Sequence, residues 1–384
     1  MIICGLKGTG DWAAGERPED YHEGLLYLFP HGKTPLLSLT AKAKKEKATD
    51  WHIHWFEQDL AGTREIPAAT VDEYNSTNTT VEFASVQNVN VGTVLKQAYC
   101  TANTGAVSIL ITGKVSPKKF NYSVISGTAG NLNTSKPLTI VGTAHNEGAS
   151  LPEACSVQTG AKETYCEIFR TPVKISGTAE VTKLRTGDAK AIEKKNALHM
   201  IGMDIESSFF HGNGQPTEPR MMKGIYEQLY DAYTANNDVG ITFGALDSLA
   251  KIWTVFEKVF SYGSGEKIDF CGAGAMNQIV SVIEGKVQAL TPVTVYGIPL
   301  TRWDTPWGTV YFKTHPLFSV NSEWTNDMAI IDMAHVTYEY LRDISYKDYK
   351  DAAGYDAVFG EYIAEVALRL DNVKAHHYVV NCKA

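Results

Sequence analysis

The sequence has no apolar run near the roughly 18 residues that a membrane-spanning helix needs. None of its six cysteines (Cys4, Cys100, Cys155, Cys166, Cys271, Cys382) forms a CxxC pair. The first absence excludes a helical membrane protein. The second, in a chain of 384 residues, points to reduced thiols and a cytoplasmic setting. The opening MIICGLKGTGDWAAG has no basic segment followed by an apolar one, so no secretory route is expected. The sequons at Asn75, Asn78, Asn121 and Asn133 then carry no weight. Positive charge is also short: 35 Lys+Arg against 43 Asp+Glu leave a formal charge of −8. A protein built to grip nucleic acid is usually basic or carries a concentrated basic face, so that class is set aside as a primary role.

Catalytic signatures are missing too, with no HExxH, GxSxG or P-loop. Gly5-x-x-Gly8-x-Gly10 has no strand before it and no helix after it, and Gly272-Ala-Gly274 lacks a third glycine and a downstream acid. His52 and His54 lie two apart on a strand and face one side, as a metal pair would. No Cys, Asp or Glu along the chain completes a ligand spacing around them. His376 and His377 point to opposite faces, and the pairs Asp204/Glu206 and Asp343/Asp348 read as solvated charges. The expectation is a protein that is not an enzyme and needs no metal or cofactor.

What is present is an ordinary globular composition, 44% hydrophobic and 20% charged, with one abrupt internal change. Residues 66–163 hold only 12 charged residues and no tryptophan. Their apolar residues come in period-2 bursts: Val81/Phe83, Val89/Val91, Val107/Ile109/Ile111, Tyr122/Val124 and Leu138/Ile140. Glycines punctuate these bursts, which describes a small all-β module inserted into something else. Strand-like segments at 50–60 and 165–178 flank it and suggest a long hairpin with the module at its tip. Pro172 keeps that hairpin out of the centre of a large sheet.

The spacing next predicts a helix over 188–210, capped by Thr186 or Asp188 and stopped at Gly212-Asn-Gly214. It carries two apolar stripes, Ala191/Leu198/Ile201/Ile205/Phe209 and Ile192/Met200/Met203/Phe210. A helix apolar on two sides is sandwiched in its own domain or covered by a neighbouring subunit. Further helices are expected over 243–260 and 275–284. Strands are expected over 267–271, 291–296, 309–313 and 329–341, and a long final strand over 360–384. The fold class is α+β with an inserted β-module. The tract Lys42-Ala-Lys44-Lys45-Glu-Lys47 reads either as a solvated face of the arm or as a patch touching packaged nucleic acid or an acidic neighbour.

One order of segments resembles a known family. Cys166-Glu-Ile-Phe-Arg170 runs into Val173-Lys-Ile-Ser-Gly-Thr178. The helix from Ala191 to Phe209 is followed by Gly212 and by Arg220-x-x-x-Gly224-Ile225. Trp51-x-x-x-Trp55-x-x-x-Asp59 and the closing segment Ala353–Val380 complete the pattern. Together they resemble the major capsid proteins of tailed bacteriophages typified by phage SU10, over most of 35–384 and best over 164–226.

The resemblance implies an HK97-like fold. Residues 1–49 would be an N-terminal arm, and 50–64 with 164–184 the extended-loop strands. Residues 66–163 would be an inserted β-domain, 185–239 with 346–384 a peripheral domain with a long spine helix, and 240–345 mainly an axial domain. It implies a virion capsid of hexamers and pentamers, icosahedral or prolate, around double-stranded DNA and assembled in the bacterial cytoplasm. Portal, scaffolding and decoration proteins would be partners, and no membrane is implied. Trp51, Trp55, Arg170, Ile192, Met200, Met203 and Phe210 are the expected assembly contacts, and Lys42, Lys44, Lys45 and Lys47 an inner-surface basic tract. The alternatives are an encapsulin-like nanocompartment shell and a surface- or carbohydrate-binding β-module on an oligomeric base.

Overall fold

The computed structural model describes residues 34–40, 44–58, 65–66, 80–83, 89–97, 106–127, 137–149, 151, 159–184, 187–235, 240–283, 291–295, 298–321, 323–349 and 356–382. Gly5, Gly8, Gly10, Lys42, Asp59 and most of the expected arm lie outside them. The chain divides into two compact units, one made of residues 1–54 and 163–384, the other of 55–162.

In the first unit a four-stranded sheet has the order Lys45–Lys47, Val336–Tyr349, Ala357–Leu370, Glu167–Ser176. The first pair is parallel and the others antiparallel. Glu167–Ser176 alternates strictly, with Phe169, Thr171, Val173 and Ile175 turned inward. Pro172, which has no N–H to give a ladder, sits on this edge strand. The long hairpin expected from the sequence is shorter than that. His52–Glu57 pairs with Gly160–Tyr165, and at Cys166 the chain leaves this ribbon to pair with Ala357–Leu370.

The helix Ala189–His211 lies against the four-stranded sheet. The Asp188 carboxylate accepts from the Lys190 N–H at 3.1 Å and caps its start. At its end Gly212 and Gly224 bring two backbones together. The Gly224 N–H donates to Gly212 O at 2.8 Å, and a Cβ on Gly224 would stand 2.5 Å from Gly212 N. The helix contributes Ile201, Ile205, Phe209 and Phe210 to the main core, with Tyr338, Ala364, Val366 and Leu368 from the sheet.

A seven-stranded mixed sheet has the order Ile241–Phe243, His377–Val380, Met328–Ile331, Glu266–Cys271, Thr309–Thr314, Ile298–Asp304, Thr291–Val295. Helices Leu249–Phe260 and Ala273–Ile283 bury Ile252, Val255, Phe256, Ala275 and Ile279 in a core with Trp303 and Phe312 of this sheet.

Three expectations are corrected here. The helix foreseen over 243–260 starts at Leu249, because Ile241–Phe243 is a strand. The single strand over 329–341 is two strands, because the Asp332 carboxylate accepts from the Ala334 N–H and sets a tight turn over Met333–His335. The strand over 360–384 also breaks, at Asn372, whose φ of 53° turns the chain before His377–Val380 joins the other sheet. Residues 346–384 therefore do not stay with one sheet, and neither do 240–345, since Val336–Tyr349 belongs to the four-stranded one.

The second unit carries an all-antiparallel six-stranded sheet in the order Glu65–Ile66, Leu138–Thr143, Thr93–Gln97, Val107–Lys114, Lys119–Ser126, Thr80–Glu82. Its core is Val81, Phe83, Val89, Leu95, Val107, Ile109, Ile111, Phe120, Tyr122 and Leu138. Val124, expected inside beside Tyr122, is exposed where the alternation runs past the end of this core.

Candidate assembly surface

The ribbon carries aromatic and polar side chains, with Trp51, His52, His54, Glu163 and Tyr165 in the first unit and Trp55, Phe56 and Glu57 in the second. His52–Glu57 alternates, so His52, His54 and Phe56 share one face and Ile53 and Trp55 the other. Trp51 stacks on His52 (5.3 Å between centroids) and on Tyr165 (6.2 Å), and the Arg220 guanidinium lies 4.9 Å from its ring. The Trp55 indole N–H donates to Glu57 at 3.2 Å. Both tryptophans are half-buried against their own chain, and Phe56, which the sequence reading passed over, is 74% exposed.

Across the ribbon stands Glu163, which no local spacing in the sequence places near the two histidines. Its Oε2 lies 3.0 Å from His52 Nε2, and the Tyr165 hydroxyl donates to its Oε1 at 2.9 Å. The hydrogen bond from Tyr165 holds the Glu163 carboxyl below the usual carboxylate range, with His52 and the Lys223 ammonium adding to it against the effect of burial. His52, His54 and Glu163 are thus the residues able to hold a metal ion, with ligand atoms all within 4.8 Å of one another.

The long helix separates its two halves. From Ala189 to Asn196 no residue is fully buried, and Ile192 is half-buried. Leu198 is exposed, Met200 is 58% exposed and Met203 is half-buried. Phe210 is not available to a neighbour. It is wholly buried, with edge contacts to Phe270, His315 and Phe318 at 4.9–5.7 Å, because the last helical turn is driven into the core of its own subunit. Arg170 is exposed and holds the buried Glu361 through two bonds of 2.8 and 2.9 Å.

Glu206 is a second correction, since it is fully buried rather than solvated. Its carboxylate accepts from the Leu36 and Leu37 N–H groups at 2.8 and 2.6 Å, at the start of the short helix Pro35–Thr40. His315 Nδ1 accepts from the Leu317 N–H, so the ring proton sits on Nε2 and is donated to Glu206 at 2.8 Å. The segment leading into the basic tract is thereby clamped to the core.

Two of the tract's four lysines have acidic partners. Lys44 approaches Glu46 (3.3 Å) and Asp371 (3.6 Å), and Lys45 pairs with Asp343 and lies over Tyr340. Lys47 is exposed.

A family model described as SU10 major capsid protein matches residues 6–383. The chain belongs to the SU10 major capsid protein family. The major capsid protein of Pseudomonas phage PaMx41 is 24% identical over 379 residues, which cover 91% of this chain and 88% of that one. Among solved structures, the cyanophage A-1(L) capsid subunit is similar with a TM-score of 0.54 at 10% identity, over 98% of this chain and 99% of the other. A chain in a solved structure of Microbacterium phage Oxtober96 gives 0.51 at 10% identity over the same shares. These likenesses give this major capsid protein the HK97-like fold. It is a structural protein rather than a catalyst, its place is the virion capsid, and it forms the oligomeric capsomers of a phage head.

Proposed function

We propose that this subunit builds hexamers and pentamers of an icosahedral or prolate head enclosing double-stranded DNA. Portal, scaffolding and decoration proteins are its further partners, and the bacterial cytoplasm is its place of assembly. In this reading Ala189–His211 is the spine of a peripheral domain completed by the four-stranded sheet. The seven-stranded sheet with its two helices is the axial domain, and residues 55–162 hold an accessory β-domain. Residues before 50 form the arm. DNA contact is non-specific and weak, since Lys44 and Lys45 already have acidic partners.

The observation that carries the reading is the exposed apolar surface on extended elements: Met200 and Leu198 on the helix, Phe56 on the ribbon. Such groups on one subunit are natural at a repeated contact. A contact of about 4 kcal/mol is only millimolar alone, yet multiplied around a closed shell it becomes lasting. Negative-stain electron microscopy of the purified chain at rising concentration tests this. Rings or closed particles are expected from the parent. Met200→Glu and the Trp51→Ala/Trp55→Ala pair should each yield folded subunits, by circular dichroism, that do not close. Normal particles from both variants would overturn the interface assignment.

A further inference from the structure

We propose that His52, His54 and Glu163 form a binding site for one divalent transition-metal ion of the zinc type, at the point where the chain enters and leaves the inserted segment. Two histidines at i and i+2 on a strand project to one side. Here their ring centroids are 3.8 Å apart. The carboxylate arrives from the partner strand, more than a hundred residues away in sequence. Two imidazoles and one carboxylate are the donor set that borderline cations such as zinc take, with water in the remaining position.

The geometry is near what an ion needs. Ligand atoms at about 2.1 Å from a tetrahedral zinc are about 3.4 Å from each other. His52 Nε2 and Glu163 Oε2 are 3.0 Å apart, and all three ligand atoms fall within 4.8 Å. His54 is exposed, so its ring has room to turn toward the other two. An ion held by His52 Nε2 and Glu163 Oε2 takes the place of their hydrogen bond, with the neutral ring carrying its one proton on Nδ1. Glu163 is also oriented as metal-bound carboxylates are: the Tyr165 hydroxyl takes Oε1 and leaves Oε2 for the ion. Lys223 Nζ lies 3.7 Å from Oε1, and Asp231 holds it at 2.9 Å.

The test uses the untagged full chain. Zinc is titrated by calorimetry at neutral pH, and cobalt(II) is read by its visible absorption, which is intense in four-coordination and weak in six. One zinc per chain is expected. His54→Ala and Glu163→Gln should each weaken it at least tenfold and abolish the intense cobalt bands. Tyr165→Phe, which keeps the ligands and removes their support, should weaken it about tenfold. Since His54 is exposed, its replacement leaves the fold intact. Zinc binding of unchanged strength in His54→Ala and Glu163→Gln would overturn the proposal, as would the absence of binding to the parent.

Discussion

The two units hold their interiors together in different ways. Among the described residues, the unit of 55–162 buries no charged side chain, and its core is ten aliphatic and aromatic groups between antiparallel strands. The unit of 1–54 and 163–384 has larger apolar cores, and threads them with Glu206 against His315, Lys267 against Asp332, and Asp269. Lys267 Nζ donates to Tyr262 O at 3.0 Å and Ala375 O at 2.6 Å, joining a strand to the turn before His377–Val380. The smaller unit also buries Thr93 and Gln97, but its interior rests mainly on apolar burial, which rewards any well-packed arrangement. Buried polar groups tolerate one arrangement, because a misplaced segment leaves them without partners. Among the described residues, the unit that clamps the segment before the basic tract and switches strands between sheets is the one carrying the buried charged groups.

That contrast can be broken experimentally. Glu206→Ala leaves His315 and two N–H groups unpaired in the core and should cost about 3–5 kcal/mol. Denaturant unfolding of the full chain measures it, and a loss below 1 kcal/mol would mean that the clamp is ornamental. Ile109→Ala removes buried aliphatic atoms from the other unit and should cost about 3 kcal/mol. Calorimetry should show it lowering a different transition from the one lowered by Glu206→Ala. A single shared transition would make the contrast irrelevant to stability.

Titration sharpens the comparison. Burial pushes the Asp269 carboxyl up to about 8, and neither oxygen has a hydrogen-bond partner. An acid with a raised folded value contributes stability that is full below its ordinary value of about 3.9 and lost as pH rises through 8, with a slope of at most about 1.4 kcal/mol per pH unit. Asp269→Asn should flatten that decline, and melting temperatures between pH 5 and 8 read it. His211, His376 and His377 act in the opposite sense. Burial brings each down to about 4, so their contribution is present above about 6.5 and lost toward pH 4. The smallest effect is expected at Val124→Thr, within about 0.5 kcal/mol, because that side chain lies outside the apolar core.

The helix over 188–210 was legible because its cap, its period and its terminating glycine are local, and the observed Ala189–His211 differs by one residue at each end. The bursts of the inserted unit were legible for the same reason, with Val107, Ile109 and Ile111 all turned inward. Glu163, Glu206 and Phe210 were not legible. Each owes its role to a group brought close from distant sequence: His52, the N–H groups of Leu36 and Leu37, or Phe270 and Phe318.

By itself the sequence determined the composition break that marks an inserted β-rich segment, the long helix, and the order of segments that resembles a capsid family. All of these are carried by short-range periodicity or by residue type. Only the tertiary structure decided which half of the helix stays exposed, where Asp332 and Asn372 break the late strands, and that a carboxylate faces the two histidines. Those outcomes depend on strand pairing and burial between residues far apart in the chain, and no local spacing encodes them.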